Sequence, residues 1–102
     1  MAYILQVDFP FSGPWGAEMA KAMNGLAHDI AAEPGLIRKI WTENPETQRA
    51  GGLYLFETSE AARAYADKHL ARLEGFGITD IVAHHFAVNH ALSEITGLHM
   101  TA

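Results

Sequence analysis

Hydrophobic side chains in this chain recur with two different periods, and their order restricts the fold more than any other feature. Between residues 3 and 9 they alternate with polar side chains, which predicts a half-buried β-strand with Tyr3, Leu5, Val7 and Phe9 on one face. Pro10 ends that strand. Three further strands are predicted at 36–43, 51–56 and 78–89. The turn residues at 44–47 join the second and third strands into an antiparallel hairpin.

Two longer segments between these strands repeat every three or four residues, which predicts amphipathic helices. The first helix is expected to start at Ser12-Gly13-Pro14, to stop at Pro34-Gly35, and to bury one stripe made of Trp15, Met19, Met23, Leu26 and Ile30. The second is expected to start at Thr58-Ser59-Glu60 and to end at Gly75 and Gly77. Its core-facing side would carry Ala62, Tyr65, His69, Arg72 and Phe76.

The resulting order β-α-β-β-α-β predicts an α+β fold with a ferredoxin-like subunit, in which both helices cover one face of a four-stranded antiparallel sheet. We expect one domain over 1–102, with 90–102 forming a C-terminal arm or a short helix. The other sheet face has apolar residues and no helix to cover it. A second copy of the same sheet is the natural cover, so the chain is expected to be a homodimer.

Composition excludes several classes of function. Seven basic residues against twelve acidic ones give a net charge of −5, which disfavours nucleic acid and anionic membranes as partners. The chain has no cysteine, which excludes disulfides, thiolate nucleophiles, iron–sulfur clusters and Cys-ligated zinc. It has neither a basic leader segment nor an apolar run long enough to span a membrane. A cytoplasmic location is the resulting expectation.

The second helix carries an unusual combination of side chains on its core-facing side. Tyr65, His69 and Arg72 follow at i, i+4 and i+7 and therefore share one surface. A buried cation needs a carboxylate or a ligand, and Glu43 on the second strand is a candidate partner. The functional interpretation is a pocket between helix and sheet. The structural interpretation is that Arg72 reaches water at the edge of the stripe while His69 is a hydrogen-bonded core residue. The pattern leaves both open.

The six histidines do not suggest a metal site. His84 and His85 are adjacent on a strand and point to opposite faces, so one of the two must face the pocket side. No pair of histidines has the spacing of helical metal ligands. Gly51-Gly52 precedes a strand rather than a helix, so close packing or a bulge explains it better than a phosphate loop.

Several segments together resemble one known family. They are Leu-Gln at 5–6, Gly-Pro-Trp-Gly at 13–16, Glu-Pro-Gly-Leu at 33–36, Lys-Ile-Trp-Thr-Glu at 39–43, Ala-Gly-Gly-Leu-Tyr-Leu-Phe at 50–56, and Lys-His-Leu-Ala-Arg-Leu at 68–73. In this combination the chain resembles the YdhR family of mono-oxygenases, within the dimeric α+β barrel superfamily. The resemblance implies a dimer whose two sheets form a barrel. It also implies a mono-oxygenase that acts without a cofactor on a small or polycyclic aromatic, phenolic compound and molecular oxygen.

Cofactor-free oxygenation needs an aromatic cavity, a base and a group that stabilises an anion. We assign these roles to side chains that are expected to share a face: walls from Trp41, Tyr54, Phe56 and Tyr65, and a phenolate-binding cation in Arg72. His69 is the expected base, because histidine has a pKa suited to a base at neutral pH. Gln6 and Glu43 would orient the substrate or the base, and His85 would face the pocket. Two alternatives stay open. One is a haem-degrading oxygenase with His69 as iron ligand, and the other is a non-catalytic binding protein for a small aromatic compound.

Overall fold

The structure is a computed structural model, and it describes residues 2–98. Its elements follow in the order β1 (Tyr3–Pro10), α1 (Gly16–Ala22), α2 (Asn24–Ala31), β2 (Leu36–Asn44), β3 (Arg49–Phe56), α3 (Ser59–Gly75), β4 (Val82–Ala87) and α4 (His90–Ile95). Within this described part, no helix has the length and apolar character needed to cross a membrane.

The four strands form one antiparallel sheet in the order β2-β3-β1-β4, which confirms the predicted α+β architecture and is compatible with the ferredoxin-like topology. Strand β1 is central, and Leu5 lies opposite Tyr54 on one side and His85 on the other. Directly opposed residues share a face. These three side chains therefore point to the same side of the sheet, which we call the inner face.

The main core lies between the inner face and helices α1, α2 and α3. The alternation in β1 is confirmed, because Leu5, Val7 and Phe9 are buried there. Helix α3 contributes the buried side chains Ala62, Tyr65, Ala66, His69 and Leu73. Each large apolar side chain in such a core contributes about 1.5–3 kcal/mol of burial free energy.

The first predicted helix starts later than expected and is interrupted. It begins at Gly16 rather than at Ser12, and its N-cap, Trp15, makes no side-chain capping hydrogen bond. Gly13 has a φ of 108° and precedes a proline, so the backbone there cannot adopt the right-handed helical conformation. A break at Met23 divides the helix into α1 and α2. The predicted apolar stripe nevertheless faces the core on both sides of this break.

The second predicted helix starts as expected, because the hydroxyl of Thr58 accepts a hydrogen bond from the amide of Ala61 at 3.1 Å. It ends at Gly75. The prediction that Phe76 faces the core is wrong, since this side chain is 64 % exposed. Phe76 is the C-cap, where the backbone leaves the helix, and Leu73 is buried one turn earlier instead.

The outer face of the sheet is only partly covered. Strand β4 spans 82–87, which is shorter than the predicted 78–89. One end of the outer face carries a small second core of Ala2, Leu55 and Val88, against which Ile4, Ile37 and Leu98 pack. The rest of the face presents large exposed apolar side chains, namely Ile40, Leu53, Val82 and Phe86. The C-terminal segment forms the short helix α4, and residues 99–102 of the predicted arm lie outside the described residues.

Candidate functional site

A cavity of about 50 Å³ lies between the inner face of the sheet and helices α1, α2 and α3. Its walls are mainly aromatic and aliphatic. They include Phe9, Lys39, Trp41, Tyr54, His69 and Phe76. Trp41 and Phe76 are also exposed to solvent, so they lie at the rim of the cavity. The predicted pocket between the second long helix and the sheet is therefore present in the structure.

Four polar side chains at the cavity wall are joined in a ring by hydrogen bonds and one aromatic contact. Arg72 Nη2 lies 3.0 Å from Nδ1 of His69, and His69 Nε2 lies 3.1 Å from the hydroxyl of Tyr54. The rings of Tyr54 and Tyr65 lie against each other, with their centres 5.1 Å apart. Arg72 Nη2 also lies 3.5 Å from the Tyr65 hydroxyl. We call these residues, Tyr54, Tyr65, His69 and Arg72, the polar ring.

The partners of His69 determine which of its nitrogens carries the proton. A guanidinium can only donate, so Nδ1 must accept from Arg72 and Nε2–H must donate to Tyr54. Burial, together with the smaller effects of the charges of Lys39 and Arg72, lowers the pKa of His69 from 6.5 to about 3. The expectation that His69 has the pKa of a base at neutral pH is therefore wrong. It is a neutral hydrogen-bonding group whose two nitrogens are both engaged.

The two tyrosines of the polar ring are neutral as well. Burial raises the pKa of Tyr54 far above its ordinary value, and the neighbouring Tyr65 raises it further. Burial also raises the pKa of Tyr65, although the neighbouring Tyr54 and the charge of Arg72 act in the opposite direction. Arg72 is therefore the charged member of the ring, because a guanidinium is protonated at every accessible pH.

The carboxylate partner of Arg72 is Asp29 and not Glu43. Asp29, on α2, accepts a hydrogen bond from Arg72 Nη1 at 2.9 Å. This ion pair links helix α2 to helix α3. Glu43 instead lies exposed near the end of β2. Its Oε1 accepts a hydrogen bond at 2.8 Å from the backbone amide of Gly16, where α1 begins. Glu43 therefore fixes the start of a helix that borders the cavity.

Lys39 lies on the cavity wall but is not among the site residues that the sequence predicts. Its Nζ lies 3.3 Å from the centre of the Trp41 ring and 4.4 Å from that of the Tyr54 ring. Burial, together with the smaller effect of the charge of Arg72, lowers the pKa of Lys39 from 10.5 to about 7. Strand alternation could have identified it, because Lys39 shares a face with Trp41 and Glu43.

The glycine pair in β3 makes room for this arrangement. A Cβ on Gly52 would lie 2.6 Å from Cε of Lys39, so the lysine stem can cross the strand only because no side chain is present there. A Cβ on Gly51 would collide with the backbone carbonyl of Val7 on the neighbouring strand β1. Both findings confirm close packing as the reason for the two glycines.

The structure brings most of the predicted site residues together. Trp41, Tyr54 and His69 line the cavity, and Tyr65 and Arg72 join them through the polar ring. Phe56 is fully buried and packs behind, with its ring centre 5.5 Å from that of Tyr65.

Two predicted site residues lie elsewhere. Gln6 is on the outer face, opposite Leu53 and His84. His85 is on the inner face, where burial and Arg63 lower its pKa while Asp67 raises it. Its Nδ1 is buried and has no hydrogen-bond partner within residues 2–98.

The side chains of residues 2–98 form no metal site. Among the described residues, no three histidine or acidic side chains are grouped so that they could hold a metal ion. His69 does not fit the role of haem ligand in this arrangement, because it is 3 % exposed and both its nitrogens are hydrogen bonded within the polar ring. The side chains offer an aromatic and aliphatic wall beside a buried amine, around a space of about 50 Å³ that is smaller than a benzene ring needs.

Comparison with known proteins gives a family. A search of curated proteins found no match. A family model described as "Putative mono-oxygenase ydhR" matches residues 4–98. The match covers almost the whole chain, including the cavity, the polar ring and Lys39. The chain therefore belongs to the YdhR mono-oxygenase family.

Proposed function

We propose that this protein is a cofactor-independent mono-oxygenase of a small or polycyclic phenolic compound. The observation that carries the proposal is the aromatic cavity with a buried amine and the polar ring at its wall, in a chain of a mono-oxygenase family. Aromatic walls with few polar groups are typical of sites for planar apolar ligands. Family membership alone supports oxygenation in general, and the aromatic wall beside an amine supports a phenolic substrate. The exposed rim residues Trp41 and Phe76 must move apart to admit it, because the cavity of about 50 Å³ is smaller than the ligand.

The proposed reaction needs no external reductant. Oxygen in its triplet ground state reacts slowly with closed-shell molecules, but a phenolate is electron-rich enough to transfer one electron to it. The phenoxyl radical and superoxide then combine at a ring carbon to give a peroxide. Its O–O bond breaks, one oxygen atom stays on the ring as a quinone carbonyl, and the other leaves as water. One phenol and one oxygen molecule thus give one quinone and one water, and the phenol supplies all the electrons.

The residues take different parts in this proposal. Trp41 and Tyr54 belong to the aromatic wall that the substrate contacts, with Nζ of Lys39 over both rings. Arg72 and His69 fix the position of the Tyr54 hydroxyl, and the fixed charge of Arg72 stabilises negative charge that develops in the cavity. Glu43 is a positioning residue, because it holds the start of α1 beside the cavity.

The uncovered outer face supports the proposal that the protein is a homodimer. Ile40 is 57 % and Phe86 50 % exposed, and Leu53 lies between them in the sheet order. A second copy of the same face would remove these side chains from water. We expect light scattering to give twice the chain mass of 11.2 kDa for the wild type and the chain mass alone for Phe86→Asp. A monomeric wild type would contradict the dimer.

Oxygen uptake tests the proposed activity. Metal-free and flavin-free protein is supplied with a panel of phenols and naphthols, and oxygen consumption and quinone formation are followed together. We expect equal amounts of both for at least one compound. Arg72→Met should lower the rate by about a hundredfold, whereas Arg63→Met, an exposed arginine on the same helix, should not change it. Binding without oxygen uptake across the panel would instead favour a binding protein.

The haem alternative is tested with the same preparation. Added haem should give no Soret shift that depends on His69, because this side chain is hydrogen bonded at both nitrogens. A haem complex whose Soret band is lost in His69→Ala would contradict the cofactor-free proposal and favour haem degradation.

A further inference from the structure

We infer that Lys39 accepts the proton of the bound phenol and then holds the phenolate, so that the substrate is a planar phenol with no other negative charge. This inference rests on the proposed function and specifies the substrate class and the base of the same site. In the step, the phenol O–H bond breaks and an N–H bond forms at Nζ of Lys39. The electron pair stays on the phenolate oxygen, and an ammonium–phenolate pair results.

Elimination among the groups of the cavity points to Lys39. Three titratable side chains line it within the described residues: Lys39, Tyr54 and His69. His69 uses its one available lone pair, on Nδ1, to accept from Arg72, and its Nε2–H donates to Tyr54. Tyr54 is a neutral phenol held in the polar ring. Of these three side chains, Lys39 is the one outside the polar ring, so its amine nitrogen can accept a proton from a ligand.

The position of Lys39 suits a phenol that lies among the aromatic rings. Its Nζ lies over the faces of both Trp41 and Tyr54, so the hydroxyl of a phenol that enters the aromatic cavity can reach the amine. Gly52 is what admits the lysine stem to this space. The pKa of Lys39, lowered by burial and by Arg72 to about 7, makes the amine available near neutral pH.

The charges around Lys39 define the ligand. His69 and Arg72 face it from α3, Tyr54 faces it from β3, and within residues 2–98 no carboxylate lines the cavity. The carboxylates around this group of residues are engaged elsewhere: Asp29 with Arg72, Glu33 with Lys68, and Glu43 with the amide of Gly16. One ammonium in an apolar cavity is neutralised by one phenolate. A second anionic group on the substrate would have no partner on the cavity wall.

Anaerobic binding of 2-naphthol at pH 8 tests the inference without turnover. Free naphthol is neutral at this pH, and the naphtholate has its own absorption spectrum. Calorimetry in two buffers of different ionisation enthalpy counts the protons released. For the wild type we expect the naphtholate spectrum with no net proton release, because the proton moves from ligand to Lys39. Lys39→Arg, which cannot accept a proton, should release about one proton per bound naphtholate.

Two further variants complete the test. Lys39→Met should bind naphthol with the spectrum of the neutral phenol, and Lys21→Met, which removes an exposed lysine on α1, should behave as the wild type. Gly52→Ala keeps the amine but displaces its stem, so it should weaken ionisation of the ligand. Circular dichroism verifies that each variant is folded.

Several results would overturn the inference: no binding of naphthol to the wild type, proton release by the wild type, or a naphtholate spectrum in folded Lys39→Met. Failure of the proposed function has a different signature. If the wild type ionises naphthol as expected but consumes no oxygen on aeration, Lys39 has the inferred role and the mono-oxygenase proposal fails.

Discussion

Removal of the imidazole at position 69 should change how stability depends on pH. The native pKa of His69 is lowered to about 3, whereas an unfolded histidine titrates near 6.5. A group whose pKa is depressed by folding stabilises the native state fully above the unfolded pKa. That stability is lost as the pH falls below it, because only the unfolded chain takes up the proton. The window that matters therefore lies below pH 6.5.

The magnitude follows from the same two pKa values. At 1.36 kcal/mol for each pKa unit, protonation of the unfolded histidine lowers the free energy of unfolding by about 2 kcal/mol between pH 7 and pH 5. The expected loss of stability between pH 7 and pH 5 is nearly the same for any native pKa of His69 below about 4. Solvent does not screen the charge that protonation would create on His69, because this side chain is only 3 % exposed.

The assay is urea unfolding of the wild type and His69→Gln at pH 7 and pH 5. We expect the wild type to lose about 2 kcal/mol more than the variant over this interval. His28→Gln, which removes an exposed histidine of α2, is the matched control and should follow the wild type. If the difference between wild type and His69→Gln is constant from pH 7 to pH 5, the neutral buried imidazole is refuted. Nitrogen NMR of the wild-type ring tests the same point should the variant not fold, since the ring should remain neutral at pH 5.

Three further substitutions test other parts of the structure. Gly51→Ala should cost about 3 kcal/mol or prevent folding, because the new methyl group would collide with the carbonyl of Val7, and urea unfolding measures this. Gly25→Ala should raise the free energy of unfolding by up to about 1 kcal/mol, since a Cβ at this helical position meets no other atom within 4 Å, and a lower stability would contradict the helix. For Lys39, whose pKa is lowered to about 7, the wild type should gain about 3 kcal/mol relative to Lys39→Met between pH 6 and pH 9, because the buried ammonium loses its proton as the pH rises. An equal stability difference at both pH values would show that the amine is solvated.

The elements of the fold could be predicted because each is encoded by local periodicity. The alternation in β1 and the Thr58 cap of α3 appear in the structure as expected. The start of the first helix could not be predicted, because the φ of 108° at Gly13 depends on how the loop after β1 leads into α1. The exposure of Phe76 has a similar cause, since periodicity continues past the residue at which the backbone leaves the helix.

The sequence could predict which side chains of the site share a surface, but it could not predict their protonation states. Helical spacing brought Tyr65, His69 and Arg72 together correctly. The pKa of His69 depends on burial and on two cations, and one of these, Lys39, comes from a strand distant in sequence. The choice of Asp29 over Glu43 as partner of Arg72 likewise depends on how α2 packs beside α3. Such contacts between elements are set by tertiary packing.

Labelling with ¹⁸O₂ tests the central claim most directly. Metal-free and flavin-free protein is incubated with 2-naphthol under ¹⁸O₂, and the quinone is reduced at once to prevent exchange of its oxygen with water. The account predicts one labelled oxygen atom in each product molecule and the other in water, with product formation lost in Lys39→Met. An unlabelled product, two labelled atoms in the product, or no product from any phenol that binds in the cavity would contradict it.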